Sequence, residues 1–526
     1  MSKRSVSVGR RGVGLPVRSA IALCAAVLSL MGCGAMPTPG LPQAAAASDL
    51  TTSARKRALD SWRDDIIYFA LTDRFSNGDR TNDRHVNAKD PHAYHGGDLA
   101  GLTKKLPYIK DLGATALWIT PINDNKDDAF VGKYWGFHGY WIHDFNRVEE
   151  HLGDEADLKR LVDTAHGMGI KVMLDIVVNH AGYDAPIAKD PQRRSWFHHN
   201  GNIANWDDQY QLEHHDIFGL PDFNTENPEV LDYMVDVWSR WITRAGVDGF
   251  RVDTVKHVPK PFWAKFNAAV ANRAPKDFLM LGEVLNGDTG YVSSYIREGR
   301  FDTTFDFPMY FTMADVFARG QSMRKLGERL RQDGAYPDAG MLSTFLDNHD
   351  VPRFMSTAGG DERKLRLALT FLMTARGIPC VYYGTEVAME GAAEPDNRED
   401  MRFGSNPRLT AFVKKLTSLR KQLPALRRGR MLEMWQDDDV YAFTRLAASS
   451  SSGSDEVVVA MNNADRDRRV TVPIRRESGL PDGTVLEDRL SGTRFTVTDR
   501  SITLTMAPKQ GMVLSPAAGV KPHRKR

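Results

Sequence analysis

The sequence predicts an α/β fold: a (β/α)8 TIM-type barrel, a small domain inserted after its third strand, and a C-terminal all-β sandwich. Three observations carry this. Eight short apolar runs alternate with helix-like stretches between residues 61 and 430. About seventy residues rich in His, Asn, Asp and Trp separate the third run from the fourth, more than a usual βα connection takes. After about residue 430 the pattern becomes short β runs with polar turns, "VYAFTRLA", "EVVVAMNNA", "RRVTVPI" and "SITLTMA".

The eight runs, in order, are "IIYFA" (66–70), "ALWIT" (116–120), "KVMLDIVV" (171–178), "GFRVD" (249–253), "FLMLGE" (278–283), "TTFDF" (303–307), "STFLD" (343–347) and "PCVYYG" (379–384). Continuous apolar strands of this length suit a parallel sheet buried on both faces. Between the second and third runs, "DEADLKRLVDTAHGMG" (154–169) starts acidic and stops at Gly, as a helix does. The insert is expected over 180–235, the β-sandwich over 431–516 and a basic tail over 517–526. A chain of 526 residues is long enough for a barrel and a smaller module. Its net charge of +2 makes no compositional case for nucleic acid.

The N-terminus reads as targeting sequence. A basic start precedes the apolar run "SAIALCAAVLSLMG", which has signal-peptide length. "LMGCG" places Cys33 as the lipidated residue of a lipobox would stand, and the predicted signal spans 1–33. The alternative is an ordinary signal cleaved after "AAAA" at 44–47. Either reading predicts a protein secreted or held at a bacterial envelope, with membrane contact only through a lipid on Cys33. Residues 34–60, rich in Ala, Pro, Thr and Ser, are expected to be a linker. Of the three cysteines, Cys24 leaves with the signal and Cys33 carries lipid. Cys380 is then alone in an apolar run, where a buried strand residue is expected.

Polar residues cluster where catalytic groups sit in such barrels, at the C-terminal strand ends. The third run ends in Asp175 and then Asn179 and His180, and the fourth at Arg251 and Asp253, followed by Lys256 and His257. The fifth ends at Glu283 and the seventh at His349 and Asp350. A lone Asp at a strand end is usually a turn former or a cap. Arg251 and Asp253 are two residues apart and share a strand face, so the cation is expected to hold Asp253 ionised. Glu283, between two acids, is expected to have a raised pKa and serve as an acid.

The ordered set "DIVVNH", "GFRVDTVKH", "GEV" and "FLDNHD" resembles the four short signatures of the α-amylase family, glycoside hydrolase family 13. "LPDFN" (220–224) and "GIPCVYYGTE" (377–386) resemble two further ones, and the resemblance covers about residues 62–515. It implies that Asp253 is the nucleophile, Glu283 the general acid/base and Asp350 the stabiliser of a distorted sugar. It also implies sugar contacts from His180, His349, Lys256, His257 and Arg398 (paired with Glu394), with Tyr140 as a stacking platform. Without the motif Tyr140 would be read as a core aromatic.

The resemblance implies calcium. Asn179, Asp222 and the His257 carbonyl match structural ligands between barrel and insert. A second candidate, Asn77, Asp79, Asn82 and Asp83 with Gly96 and Asp98 downstream, resembles an N-terminal calcium loop of cyclodextrin glucanotransferases and some bacterial amylases. Its alternative is an Asn/Asp/Gly turn.

The implied activity is endo-acting hydrolysis of internal α-1,4-glucosidic bonds in starch, glycogen or maltodextrins, by a monomer, with retention. The chain ends after one β module, and transferases of this branch usually carry more domains, which favours hydrolysis. Phe218, four residues before Asp222, points the other way, because cyclising transferases carry an aromatic there. The alternative to that reading is a packing residue. A catalytically silent carbohydrate-binding protein on the same barrel would be expected to lose members of the acid triad, and all three are present.

Overall fold

All eight predicted runs form strands of one parallel sheet in the computed structural model, which describes residues 54–447 and 455–517. In chain order the first two are β1 (Ile67–Ala70) and β2 (Ala116–Ile119). A hairpin follows, β3 (Asn123–Asn125) and β4 (Ile142–Val148). The barrel continues with β5 (Lys171–Ile176), β6 (Gly249–Val252), β7 (Leu279–Gly282), β8 (Thr303–Thr304), β9 (Ser343–Phe345) and β10 (Ile378–Tyr382). The sheet order is β8-β7-β6-β5-β2-β1-β10-β9. A parallel bridge between Phe305, just past β8, and Ser343 closes the ring. β1, β2, β6, β7 and β10 are buried at every position, because core side chains fill one face and helices cover the other.

The main helices of the barrel half are α1 (Leu99–Asp111), α2 (Glu155–Gly167), α3 (Gln209–His214), α4 (Pro228–Ala245), α5 (Lys260–Arg273), α6 (Thr289–Arg297), α7 (Glu362–Thr374) and α8 (Pro407–Gln422). The start of α2 is a capping box: Asp154 accepts the amide of Asp157, whose side chain reaches back to the amide of Asp154. Asn227 caps α4 through the amide of Glu229, Pro228 opens its first turn, and Gly246 ends it at φ 77°.

Two boundaries and one hairpin differ from the sequence expectation. The insert ends before 235, because Pro228 and its cap begin a barrel helix. The linker expected to run to 60 ends earlier: 54–59 is helical, and Leu59 and Trp62 are buried in the core. The β3–β4 hairpin was not foreseen, because "NDN" carries no apolar signal. The predicted signal with Cys33, residues 34–53 of the expected linker and residues 518–526 of the tail lie outside the described residues.

The C-terminal part is a sandwich of eight further strands. They are β11 (Arg430–Gln436), β12 (Val440–Leu446), β13 (Glu456–Asn462), β14 (Arg468–Pro473), β15 (Val485–Asp488), β16 (Arg494–Thr496), β17 (Ser501–Met506) and β18 (Gly511–Pro516). Six form one sheet, and β14 pairs with β17 in the other. Alternation assigns the two faces of β12 and β13. Tyr441, Phe443, Val457 and Val459 join the core shared with the barrel, and Val440, Ala442, Val458 and Ala460 face the second sheet. Arg445, fully buried, donates to the carbonyls of Gly429 and Thr374, the latter at the end of α7. The module is therefore fused to the barrel through a common apolar layer. Cys380 is buried in β10, as expected.

Candidate active site

The parallel ladder itself aims the site. The amide of Asp253 donates to Ile176 O and the amide of Glu283 to Val252 O, both at 2.9 Å, so each side chain leaves the barrel one step past the last paired residue. Gly249 starts β6 where a Cβ would stand 2.8 Å from the Leu279 carbonyl oxygen, so only glycine lets the strands close there. Directly after Asp253, Thr254 takes φ 47°, a left-handed conformation rare for a β-branched residue. That turn aims the Thr254 amide at Glu283 Oε2, 2.9 Å away.

One guanidinium organises the carboxylates. Arg251 Nη1 donates to Asp253 Oδ1 at 2.7 Å and to Asp175 Oδ1 at 2.9 Å, and Nη2 lies 3.2 Å from Glu283 Oε2. The last contact is an ion pair without hydrogen-bond geometry. Asp175 also accepts from the Tyr140 hydroxyl at 2.8 Å and from Trp118 Nε1 at 3.1 Å. The same hydroxyl lies 2.7 Å from His349 Nε2, and the Tyr140 ring stacks on His349 with centroids 5.3 Å apart. Arg398 Nη2 is 3.3 Å from Asp350 Oδ1, its Nε donates to the His349 carbonyl, and its Nη1 pairs with Glu394 at 2.8 Å. Asp253, Glu283, Asp350, Tyr140, Arg251, His349 and Arg398 thus form one connected cluster.

His180 joins it through the Tyr140 carbonyl, 3.2 Å from Nε2. Lys256 reaches the Leu285 carbonyl, and His257 Nδ1 faces the Leu212 carbonyl on α3 at 3.0 Å. Phe218 is not a packing residue: it is 70 % exposed, sits at φ 52°, and leans on Trp206 at 5.4 Å.

Burial dominates the electrostatics. It pushes Asp253 up to about 7, against the opposing pull of Arg251. It raises Glu283 too, with Arg251 again opposing and Asp350 adding to the rise. The expectation that Arg251 simply keeps Asp253 ionised therefore needs correction. The cation is shared among three buried carboxylates, and the desolvation of Asp253 outweighs its share. Burial also lowers His180 to about 4 and His257 to about 3, so both imidazoles are neutral near pH 7. Two acids beside one cation, titrating as a pair, can hold one proton between them. That is the state acid/base and covalent chemistry at one bond requires.

Asp175 is the member that sequence reasoning passed over. It was noted only as a strand-end residue, yet it pairs in register with Arg251 across β5 and β6. A buried acid beside a buried arginine on neighbouring strands was the available signal.

The residues named for calcium divide. Asn179 Oδ1 faces only oxygen: the His257 carbonyl at 2.8 Å and Asp222 Oδ1 at 3.3 Å. The contacts are met either by a hard cation among three oxygens or by the amide turned so that Nδ2 donates to both partners. In the N-terminal loop, the buried Asn82 Oδ1 has no hydrogen-bond partner. Asn77 Nδ2 donates to both oxygens of Asp83, at 2.8 and 2.9 Å. At Gly96 a Cβ would stand 2.7 Å from both side chains. The unpartnered Asn82 oxygen is the feature of this loop that fits a second cation. Asp79 accepts from the amide and hydroxyl of Thr81, both at Oδ1, which leaves its second oxygen outside those bonds. Asp98 is engaged by the amides of Gly78, Asp79 and Gly101 and caps α1.

A family model for the alpha-amylase catalytic domain matches residues 69–446. The chain belongs to the α-amylase family, a family of glycoside hydrolases. It is 40% identical over 488 residues to the beta/alpha-amylase of Paenibacillus polymyxa, covering 89% of this chain and 39% of that relative. It therefore spans well under half of that relative's length. The crystal structure of an Anoxybacillus alpha-amylase is 41% identical with a TM-score of 0.80, covering 87% of this chain and 99% of the other. A cyclomaltodextrin glucanotransferase described as having a three-domain ABC distribution is 33% identical with a TM-score of 0.78, covering 86% and 99%. That transferase removes the basis for reading hydrolysis from a single β module.

Proposed function

We propose that the protein hydrolyses internal α-1,4-glucosidic bonds of starch, glycogen or maltodextrins by a retaining double displacement. The observation that carries this reading is the Arg251 guanidinium in contact with both Asp253 and Glu283 at adjacent strand ends. Asp253 attacks the anomeric carbon. Glu283 protonates the leaving oxygen, then takes the proton of the water that releases the glycosyl group. Retention requires carboxyl groups about 5–5.5 Å apart. Asp350, His349 and Arg398 hold the sugar at the cleavage point, with the Tyr140 ring as its platform. His180 contributes a neutral hydrogen-bonding group on the same side. Lys256 and His257 serve the leaving-group side.

Calcium fits the donor sets. Asn179, Asp222 and the His257 carbonyl would hold one ion, and Asn77, Asp79, Asn82, Asp83 and Gly96 would hold another. The first ion would supply a fixed positive charge tying the insert to the strand end that carries Asp253.

A second reading rests on Phe218. An exposed aromatic in strained backbone is better placed to meet a curled glucan than to support the fold, which favours transfer to sugar over water. Incubation with soluble starch and calcium, with linear resolved from cyclic products, separates the two. A linear maltooligosaccharide ladder whose new ends are first α supports retaining hydrolysis. Substantial cyclodextrin supports transfer, and β products at first turnover rule out retention.

A further inference from the structure

In the insert, away from the acid cluster, His198 Nε2 lies 2.8 Å from Glu226 Oε2, and His214 Nε2 lies 2.9 Å from Glu226 Oε1. One ligand atom from each of these three residues lies within 4.8 Å of the other two. We propose that His198, His214 and Glu226 form a zinc site distinct from the calcium positions.

The tautomers support it. His214 Nδ1 is 2.9 Å from the Tyr210 carbonyl, an acceptor only, so Nδ1 carries a proton, and Nε2 faces Glu226 either as a second N–H donor or as the nitrogen a metal would take. His198 is built the same way, with Nδ1 held by Asp222 Oδ2 at 2.6 Å. An imidazole whose second nitrogen is fixed by a carboxylate or carbonyl is the recurrent arrangement around protein-bound zinc. Tyr210 stacks on the His214 ring with centroids 4.2 Å apart and fixes its plane. Both Nε2 atoms face one carboxylate, an arrangement met by two N–H donors or by one cation that takes their place. Two nitrogens and one carboxylate select zinc over calcium, which prefers oxygen. The half-exposed Glu226 leaves the fourth position to water.

The ion would tie α3 to the turn before α4. α3 also supplies the Leu212 carbonyl that orients His257, so zinc would stiffen the wall beside the leaving-group side. Asp222 would then serve two ions, calcium through Oδ1 and the zinc-bound imidazole through Oδ2.

The test is a calorimetric titration of the full-length, calcium-saturated protein with zinc chloride. It is repeated on His214→Ala and Glu226→Gln, with metal content measured after dialysis. One zinc per chain is expected in the parent, with binding at least tenfold weaker in both variants and calcium content unchanged. Cobalt(II) in place of zinc should give the visible absorption of a four-coordinate site. No zinc uptake beside calcium, or uptake undiminished in both variants, overturns the assignment. If His214→Ala fails to fold, Glu226→Gln, which preserves shape, decides alone.

Discussion

Arg251 and Asp175 meet at 2.9 Å, in register across two neighbouring strands, and neither side chain is exposed. Removing one partner of a buried pair leaves the other charge without compensation, at about 3–5 kcal/mol. Asp175→Ala should therefore lower the denaturation midpoint strongly, and Asp175→Asn, which keeps acceptors for Tyr140 and Trp118, less so. An unchanged urea melt for Asp175→Ala would show that Arg251 does not depend on it.

Tyr140→Phe separates the ring from its hydroxyl. The platform remains, but Asp175 Oδ2 and His349 Nε2 lose a shared partner, and stability should fall by about 1–3 kcal/mol. KM for maltooligosaccharides should move less than kcat, because stacking survives while the neighbours of Asp350 and Arg251 shift. A variant with unchanged kcat and a much raised KM would contradict this.

The pH profile of kcat/KM should be bell-shaped, and both limbs should lie above the range of exposed carboxylates. Asp253 is raised to about 7 and Glu283 is also raised, so the first ionisation of the pair comes late. Below it both are protonated and no nucleophile exists, and above the second ionisation no acid remains. An acid limb near pH 4 would mean that Arg251 outweighs burial after all.

Chelation of calcium should lower the melting temperature and expose the insert to protease. An ion at a hundred times its Kd contributes about 2.7 kcal/mol. Asn179→Ala should remove most of the calcium dependence, because its side chain converges with the His257 carbonyl and Asp222 Oδ1. Unchanged calcium dependence in Asn179→Ala would rule out that ligand set.

Phe218→Gly should raise stability, because a bulky residue in the left-handed region costs about 1–3 kcal/mol. It should also lower the share of transfer and cyclic products. A less stable glycine variant with an unaltered product spectrum would return Phe218 to a packing role.

The barrel was legible because its strands are apolar on both faces, so eight runs stand out without knowledge of their order. The acid cluster was legible because each member ends one of those runs. The β3–β4 hairpin was not, since "NDN" is held by side-chain and backbone partners across the hairpin: Asn123 donates to the Phe145 carbonyl, and the Asn125 amide donates to Glu149. The balance at Asp253 was also hidden. A sequence reveals a nearby arginine, but not that Asp175 and Glu283 compete for it or how deeply all three are buried. Asp79 and Asn82 look equivalent in "SNGDRTND", and only the fold shows that one closes its own turn while the other keeps a buried oxygen without a partner.

At position 257 the oxygen facing Asn179 belongs to the main chain, and the imidazole points elsewhere, to Leu212. A peptide carbonyl is common to all twenty amino acids. A changed side chain at 257 would therefore leave the oxygen that faces Asn179 in place, whereas any change at 179 removes its partner, so a survey of natural variation should find 257 freer than 179.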